Sequence, residues 1–239
     1  MGEGELVLEK MNKLLAGWQV DQDRRFIFLD CYKMMTENVI AAIEADHFED
    51  SDWVAALMEN FAGYYFQALD AFESGSGEPP DVWRVAFQAA GDSRTHVLQN
   101  LVLGVNAHIN YDLVFALAEQ MRAEWPELTH EGRQMRYRDF VRINAIIDQT
   151  ISAVQSQIVE RYEPLFILVD KALGPLDEWM TILLISEWRE EVWKHATTLI
   201  SPEETGRHEA TRHLVGQFSL ARARDILGKG GLHELAEFF

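Results

Sequence analysis

A histidine and an aspartate lie four residues apart in the longest apolar stretch of the chain, residues 98–118, LQNLVLGVNAHINYDLVFALA. Residues with this spacing share one face of an α-helix, so we expect His108 and Asp112 to be neighbours. A carboxylate beside an imidazole can fix its tautomer and raise its basicity, or the two groups can bind one metal ion. The pair therefore predicts either acid–base chemistry or a divalent-metal site, with His108 and Asp112 as the candidate ligands.

Two asparagines, Asn106 and Asn110, have the same spacing on the same predicted helix. They are offset from the first pair by two residues, about 200° of helical rotation, so the two pairs face different sides. The rest of the helix is apolar on all sides, which predicts that it lies in the middle of a domain. A buried polar group without a partner costs about 1–3 kcal/mol. Four such groups indicate either a hydrogen-bond network that fixes helix packing or a functional site.

Other residues are candidates to complete such a site. Gly104, one turn before His108, would leave space for a ligand or for a closely packed helix. Asp139, on a helix predicted from Thr129 to about Tyr162, could supply a third oxygen to the pair. An aromatic pocket around the pair could be lined by Tyr64, Tyr65, Trp83 and Trp193. A substrate could be positioned by Asn106, Asn110 and Asn144.

The segment from Gly104 to Leu113, GVNAHINYDL, resembles the signature of an uncharacterised bacterial domain family whose helix has the form G-x-N-A-H-I-N-x-D-L. The resemblance extends over most of the chain, at Phe61, Tyr64, Tyr65, Trp83, Asp139, Phe140, Asn144, Arg189 and Trp193. It implies an all-helical fold and adds Arg189 to the candidate ligand-binding residues. Asn100 stands where that family often has histidine, which argues against a site with two histidines. More weakly, L-G-x-x-x-H-x-x-x-D is similar to one ligand helix of zinc-dependent phospholipase C.

The composition limits the classes of partner. The chain has 39 acidic and 21 basic residues among 239, a formal net charge of −18, which argues against binding to nucleic acid or to an anionic membrane. The central helix is nearly long enough to cross a bilayer, but the polar residues at its centre would be costly in lipid, so we expect no membrane insertion. The single cysteine, Cys31, excludes an intramolecular disulfide. The N-terminus has no secretory signal pattern, and we expect a cytoplasmic protein.

The whole chain shows helical periodicity interrupted by short Gly- and Pro-containing breaks, without sustained strand-like alternation. This pattern predicts one all-α domain over residues 1–239, a bundle of eight or nine helices around a buried central helix at about residues 95–122.

The leading functional hypothesis is a small-molecule enzyme with its pocket inside this bundle, catalysing hydrolysis, elimination or cyclisation at His108 and Asp112. Two alternatives stay open: a non-catalytic helical protein that binds an apolar ligand or a partner helix, and a metal-dependent hydrolase that resembles zinc-dependent phospholipase C.

Overall fold

The computed structural model describes residues 3–147, 149–150, 178–202 and 206–228. Within these ranges all regular secondary structure is helical, which confirms the predicted all-α bundle. Part of the helix predicted from Thr129 to about Tyr162 lies outside the described residues.

The helices are joined by short turns in the first half of the chain. Their bounds are α1 Glu3–Asp21, α2 Phe26–Glu44, α3 Ser51–Ser74, α4 Asp81–Gly91, α5 Val97–Ala107, a π-helical turn at His108–Asp112, α6 Leu113–Arg122, α7 at residues 130–147, α8 Glu178–Ile200 and α9 Arg207–Gly228.

Local signals in the sequence explain where some of these helices begin and end. Asp50 caps α3, because its side chain accepts a hydrogen bond from the backbone N–H of Trp53 at 3.0 Å. Gly75 ends the same helix in the left-handed conformation at φ 62°, which costs glycine little because it has no Cβ. Pro80 then directly precedes the first residue of α4.

The central helix consists of α5, the π-helical turn and α6, and it is surrounded by α2, α3, α4, α8 and α9. Its apolar residues Leu103, Ala107, Val114 and Leu117 are fully buried, which confirms the predicted buried position of this helix. By length and composition, the segment Gln99–Arg122 would suffice to cross a membrane, but 67% of its most apolar window is buried inside the protein. Such burial is typical of a core helix.

Two apolar clusters meet along the central helix. The first contains residues of α1, α2, α4 and α5 together with the second half of α3, and the second contains residues of α6, α7 and α8 together with the first half of α3. Leu103 and Ala107 belong to the first cluster, whereas Leu113 and Leu117 belong to the second. The polar π-helical turn therefore lies where one cluster gives way to the other.

The central helix packs closely against α2 at Gly104. The ring of Phe28 occupies the space beside it, so that a Cβ built on Gly104 would overlap the ring atoms of Phe28. Of the two uses predicted for this space, the structure shows the closely packed helix. Because Phe28 also contacts the imidazole of His108, with 5.7 Å between ring centroids, this packing positions the site.

We expect Gly104→Ala to destabilise the fold by about 1–3 kcal/mol, the usual cost of overpacking, because the Phe28 ring must move. Gly63→Ala, at a helical position of α3 with no atom within 4 Å of the added Cβ, is the matched control. That change should be neutral or stabilising by up to about 1 kcal/mol, since alanine favours the helix. Urea unfolding of both variants measures the difference, and equal stabilities would contradict the packing assigned to Gly104.

Candidate functional site

The His108–Asp112 pair is built into a π-helical turn. The backbone N–H of Leu113 donates to the carbonyl of His108, five residues earlier, instead of four as in an α-helix. In this turn Nδ1 of His108 lies 3.2 Å from Oδ2 of Asp112, so the predicted pairing of the two side chains is confirmed. The indole Nε1–H of Trp83, from α4, donates to the same Oδ2 at 2.8 Å. Turns of this kind are often found at functional sites.

Burial determines the charge of the pair. His108 is 4% exposed and Asp112 1% exposed, as the apolar surroundings of their helix predict. Burial lowers the pKa of His108 well below its usual value, and it raises the pKa of Asp112 well above its usual value although the Trp83 hydrogen bond acts in the opposite direction. Burial therefore favours the uncharged form of both side chains.

Aromatic rings enclose the imidazole. Phe61, from α3, stacks on it at 3.6 Å between ring centroids and 10° between planes, and Tyr32, from α2, meets it edge-on at 4.2 Å. Tyr65 and Trp83 each lie 6.2 Å away, so these two predicted aromatic residues do belong to the surroundings of His108. Phe61 and Tyr32 were not predicted as site residues. Helical periodicity assigns them to apolar faces, but it does not show that those faces meet at His108.

An apolar cavity of about 150 Å³ lies beside the imidazole. Its described walls come from α2, α3, the central helix, α7 and α8, and most of the lining side chains are apolar. His108 lines this cavity, and its Nε2 is buried without a hydrogen-bond partner in the described part of the chain. Because Asp112 occupies Nδ1, Nε2 is the atom of the imidazole left to bind a ligand.

Arg189, from α8, also lines this cavity and is 4% exposed. Its Nε donates to Oδ1 of Asn144 at 2.6 Å, and its Nη2 donates to the carbonyl of Phe140 at 2.7 Å. The guanidinium carbon lies 4.1 Å from the centroid of the Phe140 ring. Burial lowers the pKa of Arg189 to about 9, so the guanidinium keeps its positive charge at neutral pH. The hydrogen bond from Arg189 to Asn144 orients the guanidinium. Asn144 itself does not line the described cavity wall.

The other predicted pair, Asn106 and Asn110, forms a packing network. The side-chain amide of Asn110 donates to Oδ1 of Asn106 at 3.0 Å, and that of Asn106 donates to the carbonyl of Ser219, in α9, at 2.9 Å. These contacts join the central helix to α9. The described cavity walls include neither asparagine, so this pair does not line the cavity beside His108.

Asp139 has a structural contact instead of the catalytic or metal-binding position that the sequence suggested. Its buried carboxylate accepts hydrogen bonds from the backbone N–H groups of Glu49, at 2.8 Å, and Asp50, at 2.9 Å, and thereby holds the turn before α3. It does not join His108 and Asp112. Among the described residues no three His, Cys, Asp or Glu side chains come together as a metal-binding group.

Tyr64 and Trp193 also lie away from the cavity walls. Trp193 packs against Phe140 with 5.2 Å between ring centroids. Tyr64 donates to Oε2 of Glu119 at 2.8 Å in an outer cleft of about 800 Å³. Asp112 also lines this cleft, so the pair lies between the outer cleft, on the side of Asp112, and the interior cavity, on the side of His108.

The raised pKa of Asp112 predicts a specific pH dependence of stability. Above the usual carboxyl pKa of 3.8 the unfolded state loses the proton of Asp112, whereas the native state keeps it. The contribution of this proton to the stability of the native state is therefore lost as the pH rises towards the raised pKa. The lowered pKa of His108 has the opposite effect on stability. Below pH 6.5 the imidazole takes up a proton in the unfolded state but not in the native state, so its contribution to stability increases as the pH rises. Asp112→Asn keeps His108, so that second contribution largely cancels in a comparison with the wild type.

We expect the stability of the wild type relative to Asp112→Asn to fall between pH 5 and pH 8, by up to about 1.4 kcal/mol per pH unit. Urea unfolding at four pH values measures this difference. A difference that stays constant from pH 5 to pH 8 would show that Asp112 is already ionised in the native state, because its proton would then be absent from both the native and the unfolded state.

Comparisons with known proteins place the chain in a family. No curated protein and no solved structure matches it. A family model described as "Family of unknown function (DUF5995)" matches residues 5–228, nearly the whole chain, and includes every described residue of the cavity and of the His108–Asp112 pair. This match confirms the expected membership of an uncharacterised family. The chain belongs to DUF5995, a family of unknown function.

Proposed function

We propose that this protein binds a small, mostly apolar molecule in its interior cavity and that Nε2 of His108 contacts a polar group of that molecule. The observation that carries the proposal is a buried, unpartnered Nε2 on His108, a residue that lines an apolar cavity. A buried polar atom without a partner costs about 1–3 kcal/mol, and a ligand that supplies a partner would offset that cost.

The size and lining of the cavity limit the ligand. Apolar protein cavities of about 150 Å³ hold molecules the size of benzene. Small-molecule sites are typically apolar with a few polar groups that fix orientation, and here Nε2 of His108 would be one such group. The described walls support a ligand with an aromatic ring or a short branched chain.

Acid–base catalysis on the bound molecule is a second candidate function, and the contacts of Asp112 favour it. In the tautomer in which Nδ1–H of His108 donates to Asp112, Nε2 carries the lone pair that would accept a proton from a substrate. Hydrolysis, elimination and cyclisation all use such a base. However, burial lowers the pKa of His108 and so makes Nε2 a weak base. Binding is therefore the first proposal and catalysis the second.

Toluene tests the cavity itself. It should raise the thermal midpoint of the wild type, and a concentration of ten times its Kd should stabilise the fold by about 1.4 kcal/mol. Val39→Phe, which adds bulk to a lining residue of α2, should abolish this stabilisation. Val20→Phe makes the same change at an 82% exposed valine outside the cavity and should preserve it. Equal stabilisation of the two variants would show that toluene binds elsewhere.

Phenol tests the contact with His108, because its O–H can donate to Nε2 whereas toluene has no donor. We expect His108→Phe to weaken phenol binding about 3- to 10-fold relative to toluene binding, the value of one ordinary hydrogen bond. Phe at this position keeps an aromatic ring against Phe61, and Asp112 keeps its bond to Trp83. Calorimetric titration measures both ligands. If the ratio of the phenol and toluene dissociation constants is the same in His108→Phe as in the wild type, Nε2 does not contact the hydroxyl group of phenol.

A further inference from the structure

Arg189 is a buried cation that forms no ion pair in the described part of the chain, and the adjacent carboxylate of Glu190 favours its charged form only from beyond ion-pair distance. Its direct contacts are with neutral groups: the Asn144 side chain, the Phe140 carbonyl and the Phe140 ring. No described carboxylate forms an ion pair with it, whereas the buried Arg136 and the exposed Arg138 each pair with two carboxylates. Buried charges in proteins are normally paired, because desolvating an unpaired charge is expensive.

The position of this cation points to the source of the missing charge. Arg189 lines the same cavity as Nε2 of His108. Its Nε and Nη2 are occupied, and its Nη1 has no hydrogen-bond acceptor among the described residues. No acidic side chain is present among the described residues of the cavity wall, so nothing there would repel an anion.

We propose that the ligand of this cavity carries a single carboxylate that pairs with Arg189, so that the ligand class is small aromatic or branched aliphatic carboxylic acids. The proposal rests on the proposed function, since it concerns the same cavity. A carboxylate matches the planar guanidinium and forms charge-assisted hydrogen bonds with it. Arg189 is the one cationic side chain in the described wall, and a monoanion balances it, whereas a phosphate dianion would leave one buried negative charge.

Arg189 and His108 would then have different roles in the cavity. Arg189 would hold the carboxylate, while Nε2 of His108 would face another part of the same molecule, such as a hydroxyl group. The apolar wall between them would contact the ring or the branched chain. A ligand with only one of these features should bind, but with lower affinity than a ligand with both.

Benzoate and benzamide test the proposal, because they have nearly the same shape and differ in charge at neutral pH. We expect benzoate to bind the wild type at least ten times more tightly than benzamide by calorimetric titration at pH 7. Arg189→Lys keeps the charge and should keep part of this preference, whereas Arg189→Met should abolish it. Toluene binding should be similar in all three proteins, because it does not depend on the charge.

The outcomes separate this proposal from the proposed function. Toluene binding with no preference of the wild type for benzoate over benzamide would overturn the carboxylate proposal and leave the apolar cavity in place. A preference for benzoate that survives Arg189→Met would overturn the role of Arg189. Failure of toluene, benzamide and benzoate alike to bind the wild type would overturn the proposed function and this inference with it. If Arg189→Met does not fold, the comparison of benzoate with benzamide in the wild type and in Arg189→Lys decides.

Discussion

The structure depends on one constraint, which is that polar groups on a buried helix must find partners inside the protein. Asp112 meets this requirement through His108, one turn away on the same helix, and through Trp83, whose contact requires α4 to pack closely against the central helix. An uncharged pair costs less to bury than an ion would, because desolvation penalises the charged form. The raised pKa of Asp112 and the lowered pKa of His108 are two results of the same burial.

Close packing around this pair also explains the cavity. Gly104 lets the Phe28 ring approach the central helix, and Phe61 stacks directly on the imidazole. These rings fix His108 on several sides but do not reach Nε2 with a polar atom. Aromatic side chains fill volume without offering acceptors in their ring planes, so an aromatic surround can hold an imidazole firmly and still leave one nitrogen without a partner. Rigidity and an unmet hydrogen bond therefore occur together at His108.

Sequence periodicity predicts contacts within a helix much better than contacts between helices. The all-α fold, the buried central helix and the His108–Asp112 contact all follow from local spacing. The π-helical turn does not, because it replaces one backbone hydrogen bond with another and leaves no mark in the pattern of apolar residues. Asp139 shows the other limit: its partners are backbone N–H groups near residue 50, about 90 positions away, which no spacing rule identifies. The role of Phe61 was missed for the same reason.

The charges of the cavity wall bear on whether it is a site or a packing defect. A void left by imperfect packing would be lined by apolar atoms alone, and it would carry no cost beyond the lost contacts. This cavity instead contains an unpartnered nitrogen of His108 and a cation, Arg189, that meets only neutral partners in the described structure. Each of these features lowers stability on its own. Polar groups that break the packing rules without a compensating contact are characteristic of functional sites, where the missing partner is the ligand.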